Sequence, residues 1–397
     1  MTEQFSFKKK PIGLLDMLAF KKLLPARQAR IDAAPATPPS IPYVNVLTKS
    51  LKPGRQYLKV AAITDEGADV RRFRLEPAQG ELAYFRAGAY LSFFLEINGS
   101  TLTRPFSIAS SPADAKQGFY EVCIKNSGFA TAWIFDNWQV GTELITSGPL
   151  GRFYYEAARD AKHLVGVAGG IGITPLRSMA RAVADGTLDV TMTLIYGCNT
   201  AAEMLFADEF RAYEKDGRFK VVYVVANEEV EGAEKGFITA ELVKKYAAAG
   251  ESSLFVCGPQ AMYRYLAKEL APLELTPKFF RQELLGEIKD ATVCAGYPAG
   301  KEAETYTVTA RMGFESYTVP ALGSETVLVA LERAGLNPPS HCRSGECGYC
   351  RSSMTAGSVY IPPELEFRRQ ADRTTGQIHP CCAFPLEDIE LIVPRAK

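Results

Sequence analysis

Net charge is the first thing this 397-residue chain lacks, since 45 Lys and Arg face 45 Asp and Glu. A balanced chain makes no global field that would recruit nucleic acid or an anionic surface. Long apolar runs are missing as well, and no uncharged stretch approaches the roughly 18 residues that a bilayer span needs. The lysine-bearing N-terminus leads into an apolar patch broken by Asp16, Lys21 and Lys22, with no convincing small-residue cleavage site after it. A secretory leader is therefore not expected. Without a mark of secretion, the nine cysteines suit a reducing cytoplasm better than a disulfide framework. What remains is a 47% apolar sequence of a length for two to four domains.

The cysteines that are present carry the strongest signal. Ser340-His341-Cys342-Arg343-Ser344-Gly345-Glu346-Cys347-Gly348-Tyr349-Cys350 places four residues between the first two cysteines and two between the next pair, with a fourth candidate at Cys381 or Cys382. This is the spacing by which plant-type ferredoxins hold a [2Fe-2S] cluster. Thiolates must converge from a loop that wraps the cluster closely, and Gly345 and Gly348 allow the tight backbone that this needs. A zinc knuckle would more naturally use two short pairs separated by a longer loop.

The motif resembles the plant-type ferredoxin domain. Family members follow the last ligand with a Gln-Ala-Xaa-Pro-like run, and Cys381-Cys382-Ala383-Phe384-Pro385 matches it with Cys382 in the Gln place. The resemblance thus makes Cys342, Cys347, Cys350 and Cys381 the iron ligands. His379-Pro380 departs from the small apolar residues usual upstream.

Residues 1–54 read as a separate leader to the body. Ile12, Leu14, Leu15, Met17, Leu18, Phe20, Leu23 and Leu24 suit an amphipathic helix that opens at Pro11 and closes before Pro25. Residues 33–42 read as a semi-rigid extended linker. The helix could dock a partner protein, but composition favours packing on its own body.

Residues 55–155 show short alternating strands, among them 58–63, 70–75 and 90–97, with turn signals at Asp65-Glu66-Gly67 and Asn98-Gly99, which predicts an antiparallel barrel. Arg104-Pro105-Phe106-Ser107-Ile108-Ala109-Ser110, then Gly128-Phe129-Ala130-Thr131 and Gly148-Pro149-Leu150-Gly151-Arg152-Phe153, resemble the flavin domain of the ferredoxin–NADP reductase superfamily. By that resemblance Arg104 pairs with a flavin phosphate, Phe106 packs on the flavin face and Ser107 hydrogen-bonds near its reactive nitrogen. Ile108 belongs to the same cofactor-binding run, while Gly128, Ala130 and Thr131 hold a pyrophosphate. Phe106 stands where the family more often has Tyr. The family has FAD and FMN members, and the pyrophosphate turn favours FAD.

Residues 156–288 change period. Leu164–Ala168 reads as a buried strand of a parallel sheet, running into Gly169-Gly170-Ile171-Gly172-Ile173-Thr174-Pro175 and a helix. Glycines let the backbone approach a pyrophosphate at a helix N-terminus. This is not the Gly-x-Gly-x-x-Gly of a Rossmann fingerprint, but it resembles the superfamily's nicotinamide motif, which assigns Gly170, Gly172, Thr174 and Pro175 to the cofactor. Further strands at 190–196, 219–225 and 253–257 alternate with helices. The last ends in Val256-Cys257-Gly258-Pro259-Gln260-Ala261-Met262, again as in the family, which would set Cys257 beside the nicotinamide and flavin with Gly258 and Pro259 as the turn. A basic residue for a 2′-phosphate is lacking after the second strand, where Glu203 follows, and 226–231 is acidic; both favour NADH over NADPH.

Residues 286–303 read as a tether. Within 303–397, Tyr306–Pro320 looks like a hairpin, and Ser324 can cap a helix ended by Gly335. The chain is thus expected to be multidomain β + α/β + α+β: an antiparallel flavin-binding barrel, a parallel-sheet nicotinamide domain and a ferredoxin-like β-grasp domain. The resemblance implies a cytoplasmic NADH-dependent reductase in which Ser107 and Cys257 are catalytic. Electrons would pass from NADH to FAD to [2Fe-2S] to a protein acceptor, an oxygenase or another metalloenzyme. Two other readings are a resident subunit of a larger redox complex, with electrons running toward NAD, and a redox-sensing module without turnover.

Overall fold

The computed structural model describes residues 14–34, 44, 47–48, 51–247 and 252–395, which fall into two compact units, residues 1–48 and 49–397. In the first unit a helix spans Leu14–Asp32 with Pro25 inside it. The expected stop before Pro25 is therefore wrong. Ala-Arg-Gln-Ala-Arg after the proline are strong helix formers that add little further cost, and the helix continues past Pro25. Leu18, Phe20, Leu23 and Leu24 are exposed. The proposed opening at Pro11 and residues 35–42 of the linker lie outside the described residues. Among the described residues no helix is long and apolar enough to cross a membrane.

The second unit contains three main sheets. In the first, β1 (Arg55–Gly67), β2 (Val70–Gln79), β3 (Tyr90–Ile97), β4 (Ser100–Ser107), β5 (Tyr120–Lys125) and β6 (Glu143–Ser147) follow the order β4-β3-β6-β1-β2-β5, and every adjacent pair is antiparallel. Alternation explains it: in β1, Gln56, Leu58 and Val60 turn inward while their neighbours face out, as the two-residue period of a strand requires. Asn98 and Gly99 join β3 to β4 with φ of 52° and 78°, the left-handed pair favoured in tight hairpins. Trp138 closes the core edge-on to Phe73 at 5.2 Å and tilted against Phe93 at 5.4 Å.

The second sheet is wholly parallel, with β7 (His163–Gly169), β8 (Thr191–Cys198), β9 (Phe219–Val225), β10 (Glu234–Lys235), β11 (Ser252–Cys257) and β12 (Phe280–Glu283) in the order β10-β9-β8-β7-β11-β12. The chain moves outward from β7 to β10, then returns to the other side of β7. Ligands of open parallel sheets bind at the carboxyl ends beside such a switch, and there β7 and β11 lie paired at Ala168 and Cys257.

The helix Ile173–Ala184 joins these two layers. Arg177, fully buried, pairs with Glu121 of β5 and with Glu209, both at 2.8 Å, and donates to the Ala109 carbonyl at 3.0 Å. Burial alone would raise the Glu121 carboxyl, yet Arg177, Arg72 and Arg181 hold it below its ordinary value.

The third sheet orders β13 (Thr305–Met312), β14 (Glu315–Leu322), β15 (Ser352–Ala356), β17 (Gln377–Ile378) and β19 (Ile389–Ile392) as β14-β13-β19-β15-β17, with β16 (Val359–Tyr360) and β18 (Phe384–Pro385) paired separately. Only β13 and β19 run parallel, and the helix Val327–Arg333 packs Val327, Ala330 and Leu331 into their core. Its cap is Thr326, whose Oγ1 accepts from Val329 N at 3.3 Å, so the expected Ser324 cap is two residues early. A threonine hydroxyl can accept from the first-turn amides in the same way as a serine. Gly335 follows at φ 75°.

The 286–303 stretch is not a free tether in its first half. Leu284, Ile288, Ala291 and Cys294 are buried in one core with Leu328, Cys350, Cys381 and Phe384.

Candidate redox centre

The loop from Ser340 to Arg351 leaves the helix Val327–Arg333 and turns on three left-handed residues, Arg343, Gly345 and Gly348, with φ of 59°, 81° and 65°. A Cβ on Gly345 would lie 2.8 Å from Cys382 Sγ and 2.9 Å from the Leu365 carbonyl, so space as well as φ requires glycine there. The tight path aims amides at sulfur: Gly345 N at Cys381 Sγ (3.2 Å), Cys347 N at Cys342 Sγ (3.3 Å) and Tyr349 N at Cys347 Sγ (3.5 Å). Cys350 and Cys381 bring their sulfurs to 3.4 Å. Hydrogen bonds from the Cys347 and Cys381 thiols and from loop amides hold the Cys342 thiol well below its usual range. Cys382 Sγ contacts the His379 carbonyl at 3.5 Å and receives no hydrogen bond from the loop amides named above. His379 ties the second segment to the loop, its Nδ1 lying 2.6 Å from Gly345 O.

Among the described residues no three such side chains are arranged around a single metal ion. The four thiols converge, Cys342 meeting both Cys347 and Cys381, and Cys381 meeting Cys350. Four thiolates shared between two irons have that requirement, and amides directed at sulfur stabilise thiolate charge. The residues fit a [2Fe-2S] cluster.

On β4, Arg104 is largely buried. Its Nη1 donates to the Thr103 carbonyl at 2.7 Å and its guanidinium lies 5.4 Å from the Phe129 ring centroid. Burial and the nearby Arg343 charge lower its pKa to about 10, which leaves it cationic at neutral pH. Phe106 packs on Phe93 at 5.6 Å, and Ile108 is buried. Gly128 opens the helix Phe129–Asn137, with Ala130 buried in its first turn. The Thr131 hydroxyl is engaged by the turn itself, accepting from Ser127 N (2.9 Å) and Gly128 N (3.0 Å). Its role is to shape the turn, while the following helix amides remain directed outward as in any helix start. Lys289 donates to the Ser127 carbonyl at 3.0 Å. It brings a second positive charge to this turn, which sequence reading missed because Lys289 lies 161 residues after Gly128 in the chain.

At the carboxyl ends of the parallel sheet, Gly172 sits where a Cβ would come within 2.6 Å of Cys257 C and Gly258 Cα. Only glycine lets the two strand ends approach so closely. Gly170 takes φ 49°. Thr174 Oγ1 donates to the Ile171 carbonyl at 3.0 Å, and Pro175 occupies the first turn of the helix, where a missing N–H costs nothing. Pro259 precedes the helix Gln260–Glu269. Gly258 N donates to Tyr263 Oη at 3.1 Å.

Ser107 and Cys257 belong to different sheets, and Glu283 lies between them. Ser107 Oγ donates to Glu283 Oε2 at 3.0 Å, and Glu283 is the register partner of Cys257 across β11 and β12. Burial pushes the Glu283 carboxyl well above its ordinary value. Burial, with Glu283 adding to it, does the same to the Cys257 thiol. The Cys257 thiol is thus uncharged at pH 7, and the Glu283 carboxyl keeps its proton to higher pH than a free one. Tyr90 is buried between this group and the cluster loop, its phenol raised by burial and by the negative charges of Cys342, Cys347, Glu346 and Glu283. Glu283 escaped the sequence reading, although a carboxylate ending a strand beside the switch point was a usable signal.

After β8, Asn199 donates from N (3.0 Å) and Nδ2 (2.9 Å) to Glu203 Oε2, and Ala201 N donates to Glu228. Two carboxylates therefore hold this loop, and Lys125 Nζ lies 3.8 Å from Glu203 Oε1.

Comparison with known proteins finds three matching domains along the chain. Residues 57–155 match the oxidoreductase FAD-binding domain, 167–268 the oxidoreductase NAD-binding domain, and 315–386 the 2Fe-2S iron-sulfur cluster binding domain. Fold and site thus define an oxidoreductase carrying flavin, nicotinamide and iron–sulfur modules. The chain is 30% identical over 304 residues to a putative toluene-4-sulfonate monooxygenase system reductase subunit of Comamonas testosteroni, covering 76% of this chain and 87% of that one. It is 24% identical over 363 residues to a glycine betaine monooxygenase reductase subunit of Chromohalobacter salexigens, covering 87% and 97%. Among solved structures, phthalate dioxygenase reductase has the same fold, with TM-score 0.62, 24% identity, and coverage of 86% of this chain and 98% of that one. The chain belongs to the ferredoxin–NADP reductase superfamily, in the branch with a C-terminal plant-type [2Fe-2S] domain. It is a reductase that passes electrons from NADH through FAD and the cluster to a protein acceptor.

Proposed function

We propose that the acceptor is an oxygenase component and that the residues gathered above carry the electron route. The observation that carries this reading is the union of two sites in one unit. Ser107, Glu283 and Cys257 meet at the flavin and nicotinamide side, and the residues directly after Glu283 bond to the cluster loop. The named relatives, reductase subunits of monooxygenase systems, support the oxygenase partner.

When bound, FAD supplies the change from two-electron to one-electron chemistry that neither nicotinamide nor cluster can make alone. The protein's part is binding, orientation and control of a proton. Arg104 and Lys289 hold the flavin phosphates, with Gly128, Ala130 and the helix amides at the pyrophosphate. Phe106 and Ile108 shape the flavin wall. Gly170, Gly172, Thr174, Pro175, Gly258 and Pro259 form the close turn for the dinucleotide, and the carboxylates of Glu203 and Glu228 disfavour a 2′-phosphate, so NADH is the reductant. Ser107 donates to Glu283 Oε2, which leaves Oε1 for the carboxyl's own proton. Cys257 fills the sheet end without charge and leaves the reacting faces dry. Cys342, Cys347, Cys350 and Cys381 hold the cluster. Nine unpaired cysteines support a reducing, cytoplasmic setting, and the exposed leucines and Phe20 of the helix Leu14–Asp32 support a docking role for it.

The test is anaerobic isolation with bound partners, followed by mixing with NADH. Flavin and cluster should bleach in sequence, and an oxygenase copurified with the chain should then be reduced. A chain whose cluster stays oxidised under excess NADH is not a reductase of this kind.

A further inference from the structure

The residues linking the nicotinamide sheet to the ferredoxin domain are glycine-bearing and charged, a composition expected of a loose connection. Their contacts are those of a clamp. Leu284 O accepts from Ser344 Oγ at 2.6 Å, and Gly286 N donates to Cys342 O at 3.0 Å. Both residues flanking Arg343 are therefore bonded to the strand end that carries Glu283. Arg343 itself is 1% exposed in its side chain. It grips Glu332 of its own domain with both terminal nitrogens, at 2.5 and 2.7 Å, lies 3.5 Å from Thr103 Oγ1 of the flavin barrel, and forms a further ion pair with Glu287. The Glu287 carbonyl in turn accepts from Gln260 Nε2 at 2.9 Å, which fastens the same residue to the nicotinamide half.

We propose that Glu287 is a positioning residue that, through Arg343, locks the cluster loop against the flavin barrel, so that electrons cross at one fixed separation and not by a swing of the ferredoxin domain. One carboxylate, Glu332, already neutralises Arg343 within its own domain. The second comes from the linker, and a buried charge pair that joins separate segments fixes their mutual register. The exposed second half of the linker has no such contact to the cluster loop. The placement matters because the rate of electron transfer between two centres falls exponentially with their separation. The inference rests on the electron route above.

Glu287→Gln, made in the flavin- and iron-loaded protein, keeps the size of the side chain and removes the charge. After anaerobic mixing with NADH, flavin reduction should proceed at the wild-type rate, while the following reduction of the cluster slows by about tenfold or more and becomes sensitive to added glycerol. In the wild type that second step should ignore glycerol. Independently of turnover, hydrogen exchange at the Gly286 amide and through the Cys342 loop should quicken, with the parallel sheet protected as before. Glu287→Asp, which keeps the charge, should lie between the two.

A Glu287→Gln protein with wild-type cluster reduction and a protected Gly286 amide overturns the lock, and so does glycerol dependence in the wild type. Loss of flavin, iron and every rate together in both variants makes Glu287 a general support and also overturns it. Should Glu287→Gln not fold, Glu287→Asp must show the same division between the two steps in smaller measure, and full wild-type behaviour overturns it. If NADH never reduces the wild-type cluster, the electron route fails, and Gly286 exchange still reports on the lock.

Discussion

Glu283 is the buried carboxyl that Ser107 meets on the flavin side of the proposed electron route. Its raised carboxyl has a sign that can be followed in stability. Between the unfolded carboxyl value of about 4.3 and the higher folded value, the native state keeps a proton that the unfolded state has lost. Stability from this group is complete below the unfolded value and is lost as pH rises through the folded one. Glu283→Gln should remove that loss, so its melting temperature should gain on the wild type as pH rises, measured by thermal melts from pH 5 to 9. NADH-driven flavin reduction should slow on the alkaline side in the wild type and become flat with pH in the variant. A variant with an unchanged pH profile would remove Glu283 from the site.

The cluster ligands make a second residue-level test. Cys381→Ser should abolish the visible and EPR signals of the cluster, and Cys382→Ser should leave them, because the Cys382 sulfur faces the His379 carbonyl. Lys289→Ala should weaken flavin binding by about 1 kcal/mol, the worth of one modest polar contact, read as roughly a fivefold rise in the flavin Kd with the iron content kept. Arg104→Ala, losing a buried charge-assisted partner worth about 2 kcal/mol or more, should leave protein purified without flavin.

Secondary elements were legible wherever one short-range rule decided them. The strands at 90–97 and 219–225 show it, since alternation or a continuous apolar run marks a strand without help from distant residues. The cysteine spacing and the glycine turns were legible for the same reason: a close backbone path demands particular residues at fixed offsets. Contacts made across the fold were not. Glu283 meets Ser107 from 176 residues away, and Lys289 reaches a turn whose sequence says nothing of a lysine. The linker failed through composition, which records flexibility and not the three apolar side chains, Ile288, Ala291 and Cys294, that bury its first half. Pro25 failed because a local penalty was read without the helix formers beyond it. The helix Leu14–Asp32 has its own prediction. Deleting residues 1–31 should leave NADH oxidation with ferricyanide unchanged, since every cofactor residue lies beyond Arg55. Reduction of the native acceptor should fall, as exposed apolar surface gives docking energy of about 25 cal/mol per Å² when covered. Unchanged delivery to the acceptor would remove the docking role.

Across the whole molecule, buried charges join the layers, and their worth depends on pH in a way that apolar contacts do not share. Arg177 is fully buried between Glu121 of the flavin barrel and Glu209 beside the nicotinamide sheet. Replacing it with Met keeps much of the volume and takes the buried arginine from both carboxylates, leaving Arg72 and Arg181 beside Glu121 at 3.1 and 3.5 Å, at a cost of up to about 3–5 kcal/mol for a broken buried pair. The sign again follows from the group left behind. Glu121 is held below its ordinary value by Arg177 and its fellow arginines, so it contributes stability above the unfolded carboxyl value of about 4.3, and that stability is lost as pH falls through the folded value. In Arg177→Met, Glu121 has lost one of its three arginines and takes up a proton at higher pH than in the wild type, which relieves its burial cost on acidification. The gap in stability between wild type and variant should therefore be widest near pH 7 and narrow below about pH 5. Calorimetry at the two pH values checks this, and it should also resolve the barrel and the parallel sheet as separate transitions in the variant where the wild type gives one. A gap that stays constant with pH would mean that Arg177 acts through its packing against Phe206, 4.5 Å from the guanidinium, and not through its charge.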